Sequence, residues 1–237
     1  MLETVLPEET LPTMSLQSVR ARLRRACNDF GRSHDDVTLI CVSKGFGRED
    51  VIPVIAAGER VFAENRVQEA AEKWPDLISR YPDVRLDLIG PLQSNKADAA
   101  VALFNVIQTI DRPKIALALS ASIKKIGKTP KFYIQVNTGE ESQKAGVLPR
   151  DLGQLLCFCR SEARLEIAGL MCIPPVDQLA SPHFALLNRL ANEFELPELS
   201  MGMSADFDLA VQMGATQVRV GSAIFGNRRR FSAPIKI

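Results

Sequence analysis

Thr38-Leu-Ile-Cys-Val-Ser-Lys44 is a short, mostly apolar run that ends on a serine and a lysine. Its first six residues, Thr38–Ser43, are typical of a β-strand buried on both faces, as in a parallel sheet covered by helices. Seven more candidate strands follow it: Val61–Ala63, Arg85–Ile89, Val106–Ile110, Lys131–Val136, Leu165–Leu170, Leu199–Met201 and Gln217–Val220.

Segments with helical spacing or composition separate these strands, at 49–57, 66–80, 95–103, 112–126, 149–160, 181–195 and 205–213. Regular strand–helix alternation predicts a parallel sheet. Eight such units fit a single (β/α)8 TIM barrel better than a doubly wound sheet, which usually has about five or six strands. We therefore predict an α/β protein built as one TIM barrel.

Composition and charge restrict the function. The 237 residues are 46% hydrophobic and carry 29 basic against 28 acidic side chains, a net charge of +1. This balance is typical of a globular chain and argues against nucleic acid as a partner. No apolar stretch reaches the roughly 18 residues that span a bilayer, and the N-terminus has no signal-peptide pattern, so we expect a cytoplasmic protein without membrane contact.

Five scattered cysteines fit buried, reduced thiols, and the spacing of Cys157 and Cys159 offers little for a metal. Residues 1–14, with prolines and glutamates but no periodicity, are predicted to be a flexible tail before a helix over 15–28. The barrel is assigned to 15–230 and a C-terminal tail to 231–237. The arginines Arg228–Arg230 at its edge are interpreted as solvated.

The active site of a TIM barrel lies at the carboxyl ends of its strands. Lys44 follows the first strand, so its amine is expected in the barrel mouth, where a partly desolvated lysine can attack a carbonyl. The alternative is a lysine whose ammonium extends to solvent. Spacing alone does not separate the two.

The last two strands favour a phosphate site. Ser204, expected as a helix N-cap, follows strand seven, and Gly221-Ser222 follows strand eight. Loops at these places bind phosphate recurrently in this fold. The alternative is ordinary capping and turn formation. A lysine opposite a phosphate site predicts a phosphorylated aldehyde or ketone as the ligand.

Arg219 lies within the last strand, where an unpaired charge would be costly. It could face a heteroaromatic nitrogen and keep that nitrogen unprotonated, because guanidinium does not release its proton. It could equally pair with Asp206 or Asp208.

Seven motifs in order identify a family. They are Val42-Ser-Lys44, Glu64-Asn-Arg-Val-Gln-Glu69, Ile89-Gly-Pro-Leu-Gln-Ser-Asn-Lys96, Ile134–Gly146, Gly169-Leu-Met171, Leu199-Ser-Met-Gly-Met-Ser204 and Val218-Arg-Val-Gly-Ser-Ala-Ile-Phe-Gly226. Together, from about residue 15 to 230, the chain resembles the pyridoxal phosphate homeostasis protein family.

This resemblance implies a barrel like the N-terminal domain of alanine racemase, with pyridoxal 5′-phosphate (PLP) held as an imine on Lys44. It also implies phosphate contacts from Ser204, Gly221 and Ser222, and Arg219 at the pyridine nitrogen. Asn65 is expected near the cofactor, with Met201 and Met203 in the pocket wall. The chain departs from the family pattern at Gly45-Phe46, Ala63 and Asp87.

The expected function is non-catalytic PLP homeostasis: the protein binds, buffers and delivers PLP, with PLP-dependent apoenzymes as recipients. A racemase needs an acid/base group on each face of the bound ligand, and the chain offers only Tyr81 and Tyr133 as tyrosines, neither after a strand. The alternatives are a slow PLP-dependent amino-acid racemase and a cofactor-free Schiff-base barrel of aldolase type. A monomer or a weak dimer is expected.

Overall fold

The computed structural model describes residues 11–226, with the side chain of Leu11 left out. Eight parallel strands form a closed barrel in chain order, and the last strand pairs with the first. The strands are β1 (Thr38–Val42), β2 (Val61–Glu64), β3 (Arg85–Leu88), β4 (Val106–Ile110), β5 (Lys131–Val136), β6 (Ile167–Cys172), β7 (Glu198–Ser200) and β8 (Gln217–Val220). The predicted TIM barrel is confirmed.

Helices surround the barrel. One precedes β1, one or more lie in each connection, and a short one follows β8. They are α1 (Leu11–Asp29), α2 (Arg48–Ala56), α3 (Val67–Arg80), α4 (Ala97–Leu103), α5 (Pro113–Ile126), α6 (Leu152–Ser161), α7 (Ala180–Glu193), α8 (Phe207–Gln212) and α9 (Ser222–Phe225). Among these residues no helix is long and apolar enough to cross a membrane.

The pleat of the strands divides the core into two layers. Leu39 and Cys41 of β1 face outward and pack with apolar side chains of the helices in one large cluster. Ile40 and Val42, the intervening residues, face the barrel interior and pack with Ala63. This alternation follows from the two-residue period of a strand, and it directs the last interior side chains toward the barrel mouth.

The first helix begins earlier than predicted. α1 starts at Leu11, four residues before Ser15, so residues 11–14 are helical and not part of a tail. Pro12 lies in the first turn, where a missing backbone N–H removes no helical hydrogen bond. The rest of the predicted N-terminal tail, the predicted C-terminal tail and Arg228–Arg230 lie outside the described residues.

Candidate functional site

A cavity of about 420 Å³ opens at the carboxyl ends of the strands. Seven of the eight predicted cofactor-binding residues line it: Lys44, Asn65, Met203, Ser204, Arg219, Gly221 and Ser222. Its volume lies in the range of small-molecule sites. The structure therefore brings together, in one cavity, predicted residues that come from four of the eight strand ends or the loops after them, those of β1, β2, β7 and β8.

Met201 does not line this cavity. Its side chain is fully buried in the outer core between barrel and helices. Met203 lies two residues further along, beyond the strand, and is 37% exposed at the cavity. Of the two methionines predicted in the pocket wall, only Met203 lines the cavity among the described residues.

Lys44 follows β1 in a turn and is half-buried at the cavity wall. Gly45 has φ +77°, a conformation that favours glycine, and its N–H donates to Glu69 of α3. Phe46 lines the cavity, and its ring centre lies 5.2 Å from that of Phe225, with the two ring planes tilted by 30°. The Gly45-Phe46 departure therefore has a local reason: the turn needs a glycine, and the phenylalanine closes one wall.

Beneath this turn lies a buried ion pair. Glu64 is fully buried, and its Oε1 accepts hydrogen bonds from Ser43 Oγ at 2.6 Å and Trp74 Nε1 at 3.1 Å. Lys73 Nζ lies 2.6 Å from the same oxygen. Burial raises the pKa of Glu64 above its ordinary value, although Lys73 beside it opposes the rise. We call residues 43–46 with Glu64, Glu69 and Lys73 the Lys44 side of the cavity.

The opposite wall contains backbone N–H groups and a hydroxyl. Ser204 Oγ accepts hydrogen bonds from Gly221 N and Ala223 N, both at 3.3 Å. The predicted N-cap role of Ser204 is wrong: α8 begins at Phe207, and Asp206 is its N-cap residue. The turn before α8 instead directs the hydroxyl of Ser204 across to the start of α9.

An arginine on α1 holds this turn from outside the cavity. Arg22 donates to Asp208 Oδ2 at 2.7 Å through Nε and to the Ser204 carbonyl at 3.0 Å through Nη1. Its guanidinium lies 4.2 Å from the ring centre of Phe207. We call Ser204, residues 221–223, Arg22 and Asp208 the Ser204 side.

Arg219 is almost fully buried between the two sides. Its Nη1 donates to Ser200 Oγ at 2.6 Å and its Nη2 to the Cys172 carbonyl at 2.7 Å. Burial lowers the pKa of its guanidinium, and Asp206 opposes this. Among the described residues neither Asp206 nor Asp208 accepts a hydrogen bond from it, so the alternative of an aspartate pair is not borne out.

A chain of buried polar groups extends from Arg219 into the barrel. Ser200 Oγ donates to Gln108 Oε1 at 2.6 Å, and Gln108 Nε2 donates to Asp87 Oδ2 and Gln217 Oε1, each at 3.0 Å. Asp87, one of the departures from the family pattern, is also held by Arg85 through two bonds of 2.8 Å. Arg219 is therefore oriented by a connected network, because each buried polar group in it has a partner.

Sequence reasoning missed the apolar part of the wall. Val42, Phe46, Ile89 and Ile173 also line the cavity. Ile173 lies directly after β6. Val42 and Ile89 could have been found from the strand alternation, since Val42 is the last inward-facing residue of β1 and Ile89, directly after β3, continues the inward side of that strand.

All five cysteines are free thiols. Four of them are buried, as expected, but Cys157 is exposed on α6. Among residues 11–226 no group of three or more histidine, cysteine, aspartate or glutamate side chains is arranged to hold a metal ion.

The family model described as alanine racemase, N-terminal domain, matches residues 14–229. The pyridoxal phosphate homeostasis protein of Vibrio cholerae is 37% identical over 225 residues, which cover 90% of this chain and 95% of that protein. The protein of the same name from Escherichia coli is 33% identical over 227 residues, with 90% and 95% covered.

Solved structures agree with these matches. PipY of Synechococcus elongatus with PLP bound has a TM-score of 0.77 and 35% identity, covering 92% of this chain and all of that one. Without PLP, PipY gives a TM-score of 0.81 and 37% identity, with 92% and 100% covered. Alanine racemase of Clostridium difficile, at 12% identity and a TM-score of 0.67 over 93% of this chain and 58% of that one, shares the fold.

Proposed function

Since this chain belongs to the alanine racemase N-terminal domain family and, within it, to the pyridoxal phosphate homeostasis proteins, we propose that it stores PLP on Lys44 and releases it to PLP-dependent apoenzymes without catalytic turnover. One observation carries this proposal. A single cavity contains a lysine, a buried arginine and a hydroxyl that already accepts two backbone N–H groups.

The residues present fit a phosphorylated ligand. The N–H groups of Gly221 and Ala223 already bind one oxygen acceptor, Ser204 Oγ. Phosphate oxygens are stronger acceptors of the same kind, and N–H groups at the start of a helix favour negative charge. Ser204 and the backbone of residues 221–223 would therefore hold the phosphate, with Asn65 and Met203 beside the ring.

PLP supplies an aldehyde, to which a lysine amine adds with loss of water, so that a carbon–nitrogen double bond replaces the carbonyl. Lys44 is the residue that makes this link in the proposal. Its half-buried position at the cavity wall supports the role, because a ligand in the cavity would lie beside this side chain. Hydrolysis of the same bond returns the ligand to solution, which is what a carrier requires.

Arg219 favours storage over turnover. A guanidinium facing the pyridine nitrogen keeps that nitrogen unprotonated, which weakens the ring as an electron acceptor in carbanion chemistry. Its network with Ser200 and Gln108 holds the guanidinium in place at the cavity, which supports this role.

The cavity also offers few acid/base groups. Of its lining residues in the described range, Lys44 and Arg219 have ionisable side chains. Tyr133, whose hydroxyl donates to Glu198, is buried inside the barrel and does not line the cavity. A racemase would need a second proton-transfer group on the other face of the ligand.

The visible spectrum of the purified protein with PLP, before and after borohydride, tests the proposal. We expect an absorption band that bleaches on reduction and a phosphopyridoxyl mass on the peptide of Lys44. Lys44→Ala should abolish the reduced adduct and leave weaker, non-covalent binding. Lys124→Ala, on the exposed end of α5, is the matched control and should label like the wild type.

Three results would contradict the proposal. An adduct that persists in Lys44→Ala would exclude Lys44 as the anchor. A wild type that stays colourless and unlabelled with added PLP would favour a cofactor-free barrel. Racemisation of alanine or serine above the rate of free PLP, lost in Lys44→Ala, would assign the site to a racemase.

A further inference from the structure

Lys73 is a lysine turned inward on α3. Its side chain is 6% exposed, although lysines are rarely buried unless they are paired. Its ammonium has three acceptors close by: Glu64 Oε1 at 2.6 Å and the carbonyl oxygens of Ser43 at 2.8 Å and Phe46 at 2.9 Å. Since an ammonium group has three N–H donors, this set uses all of them.

The two carbonyl groups belong to the turn that contains Lys44. One precedes Lys44 directly and the other lies two residues after it. The N–H of Phe46 donates to the Ser43 carbonyl at 3.2 Å, which closes the turn, and the N–H of Gly45 donates to Glu69. Two side chains of α3, those of Lys73 and Glu69, thus hold the main chain on both sides of Lys44.

Stability alone does not explain a buried pair at this place. Apolar residues of similar volume often replace a buried ion pair at no loss of stability, because two charges must be desolvated to form it. An apolar side chain would pack on α3 equally well, but it could not bind two carbonyl groups. The specific effect of Lys73 is therefore on the conformation of residues 43–46.

We propose that Lys73 is a positioning residue for Lys44: paired with Glu64, it fixes the turn so that the amine of Lys44 is held ready at the cavity wall. This inference rests on the proposed attachment of PLP to Lys44. Lys73 itself does not line the cavity among the residues described. It acts through the backbone and makes no contact with the ligand in this proposal.

The test compares two variants with the wild type. Lys73→Met removes the donors and leaves the Glu64 carboxylate unpaired. The double variant Glu64→Leu with Lys73→Met removes both charges and should remain folded. Lys128→Met is the matched control, because it deletes a lysine that donates to a backbone carbonyl, that of Ala102 at 3.0 Å, at a place remote from the cavity.

Two measurements separate positioning from loss of structure. The first is the rate of formation of the visible band after mixing with PLP, with borohydride trapping of the Lys44 peptide. The second is the equilibrium binding of pyridoxine 5′-phosphate, which has the ring and phosphate but no aldehyde. In the double variant we expect the rate of attachment to fall about 10- to 100-fold, as for a misplaced reacting group. Binding of pyridoxine 5′-phosphate should change less than about twofold, since the Ser204 side is intact.

Lys128→Met should match the wild type in both measurements. Attachment at the wild-type rate in the double variant would overturn the role of Lys73. An equal loss of pyridoxine 5′-phosphate binding would also overturn it, because the defect would then be general. Failure of the wild type itself to attach PLP to Lys44 would instead refute the proposed function, so the two failures are distinguishable.

Discussion

The two sides of the cavity are held in different ways. On the Lys44 side the supporting charges are buried: the side chain of Glu64 is 0% exposed and that of Lys73 is 6% exposed. On the Ser204 side the ion pair of Arg22 with Asp208 lies at the surface, with each side chain 41% exposed, and the groups that face the cavity are neutral.

This difference matches what each side is proposed to do. Formation of a covalent bond requires the reacting nitrogen at one position. Buried charges that hold the turn rigidly can supply this, although their desolvation costs free energy. An anion needs only several N–H groups that point the same way, and a helix start provides them from the main chain. The Lys44 side should therefore depend on its supporting charges far more than the Ser204 side does.

The largest effect is expected from Glu64→Gln. This change leaves the ammonium of Lys73 buried with two carbonyl groups and with Glu69, at 3.8 Å and partly exposed, as its remaining counter-charge. Breaking a buried pair costs about 3–5 kcal/mol of unfolding free energy. Urea unfolding of the protein without PLP would measure it. The matched control is Asp208→Asn on the Ser204 side, where a loss of about 0–1 kcal/mol is expected. Equal losses in the two variants would remove the contrast between the sides.

The sequence predicts the frame of both sides well. Val106–Ile110, Lys131–Val136 and Gln217–Val220 match the observed strands residue for residue, because short runs rich in β-branched and aromatic residues favour the strand conformation. The strand near Leu165 is displaced: β6 begins at Ile167, and Leu165 is buried in the preceding loop. An apolar run in the sequence predicts which residues are buried, but it does not fix which of them pair in the sheet.

The supporting contacts could not be predicted in the same way. Glu64 and Lys73 are nine positions apart on different elements. Nothing in this spacing shows that α3 directs the side chain of Lys73 toward Glu64 and the backbone on either side of Lys44. The N-cap prediction for Ser204 failed for a related reason. Ser, Thr, Asp and Asn all cap helices, and Asp206 was equally suitable two residues later. Tertiary packing decided both cases.

A smaller effect is expected from Ser204→Ala. The hydroxyl is a donor to the proposed phosphate, and loss of a hydrogen bond to a charged acceptor should weaken binding by roughly 1–3 kcal/mol. Titration with pyridoxine 5′-phosphate measures this without the covalent step. Ser161→Ala is the matched control, because Ser161 is exposed on α6 and donates to the Cys157 carbonyl. If Ser204→Ala bound pyridoxine 5′-phosphate with unchanged affinity, the assignment of the phosphate site to Ser204 would be wrong.

The smallest effect is expected from Arg22→Gln, and it tests the contrast most finely. Arg22 touches the Ser204 turn at three points, through Asp208, the Ser204 carbonyl and the Phe207 ring, so a count of contacts would rank it beside Lys73. The exposure of its side chain predicts a much smaller contribution to the free energy of unfolding than that of Lys73. Water screens a half-exposed pair, and such pairs contribute about 0.2–1 kcal/mol.

Urea unfolding at low and high salt would measure the effect of Arg22→Gln. Its cost should shrink as salt rises, because the Debye length falls from about 10 Å at 0.1 M to about 3 Å at 1 M. Arg48→Gln, which breaks the exposed pair with Asp76, should give a loss of similar size and salt dependence. A salt-independent loss above about 3 kcal/mol in Arg22→Gln alone would mean that the Ser204 side, like the Lys44 side, depends on a charge that water does not screen.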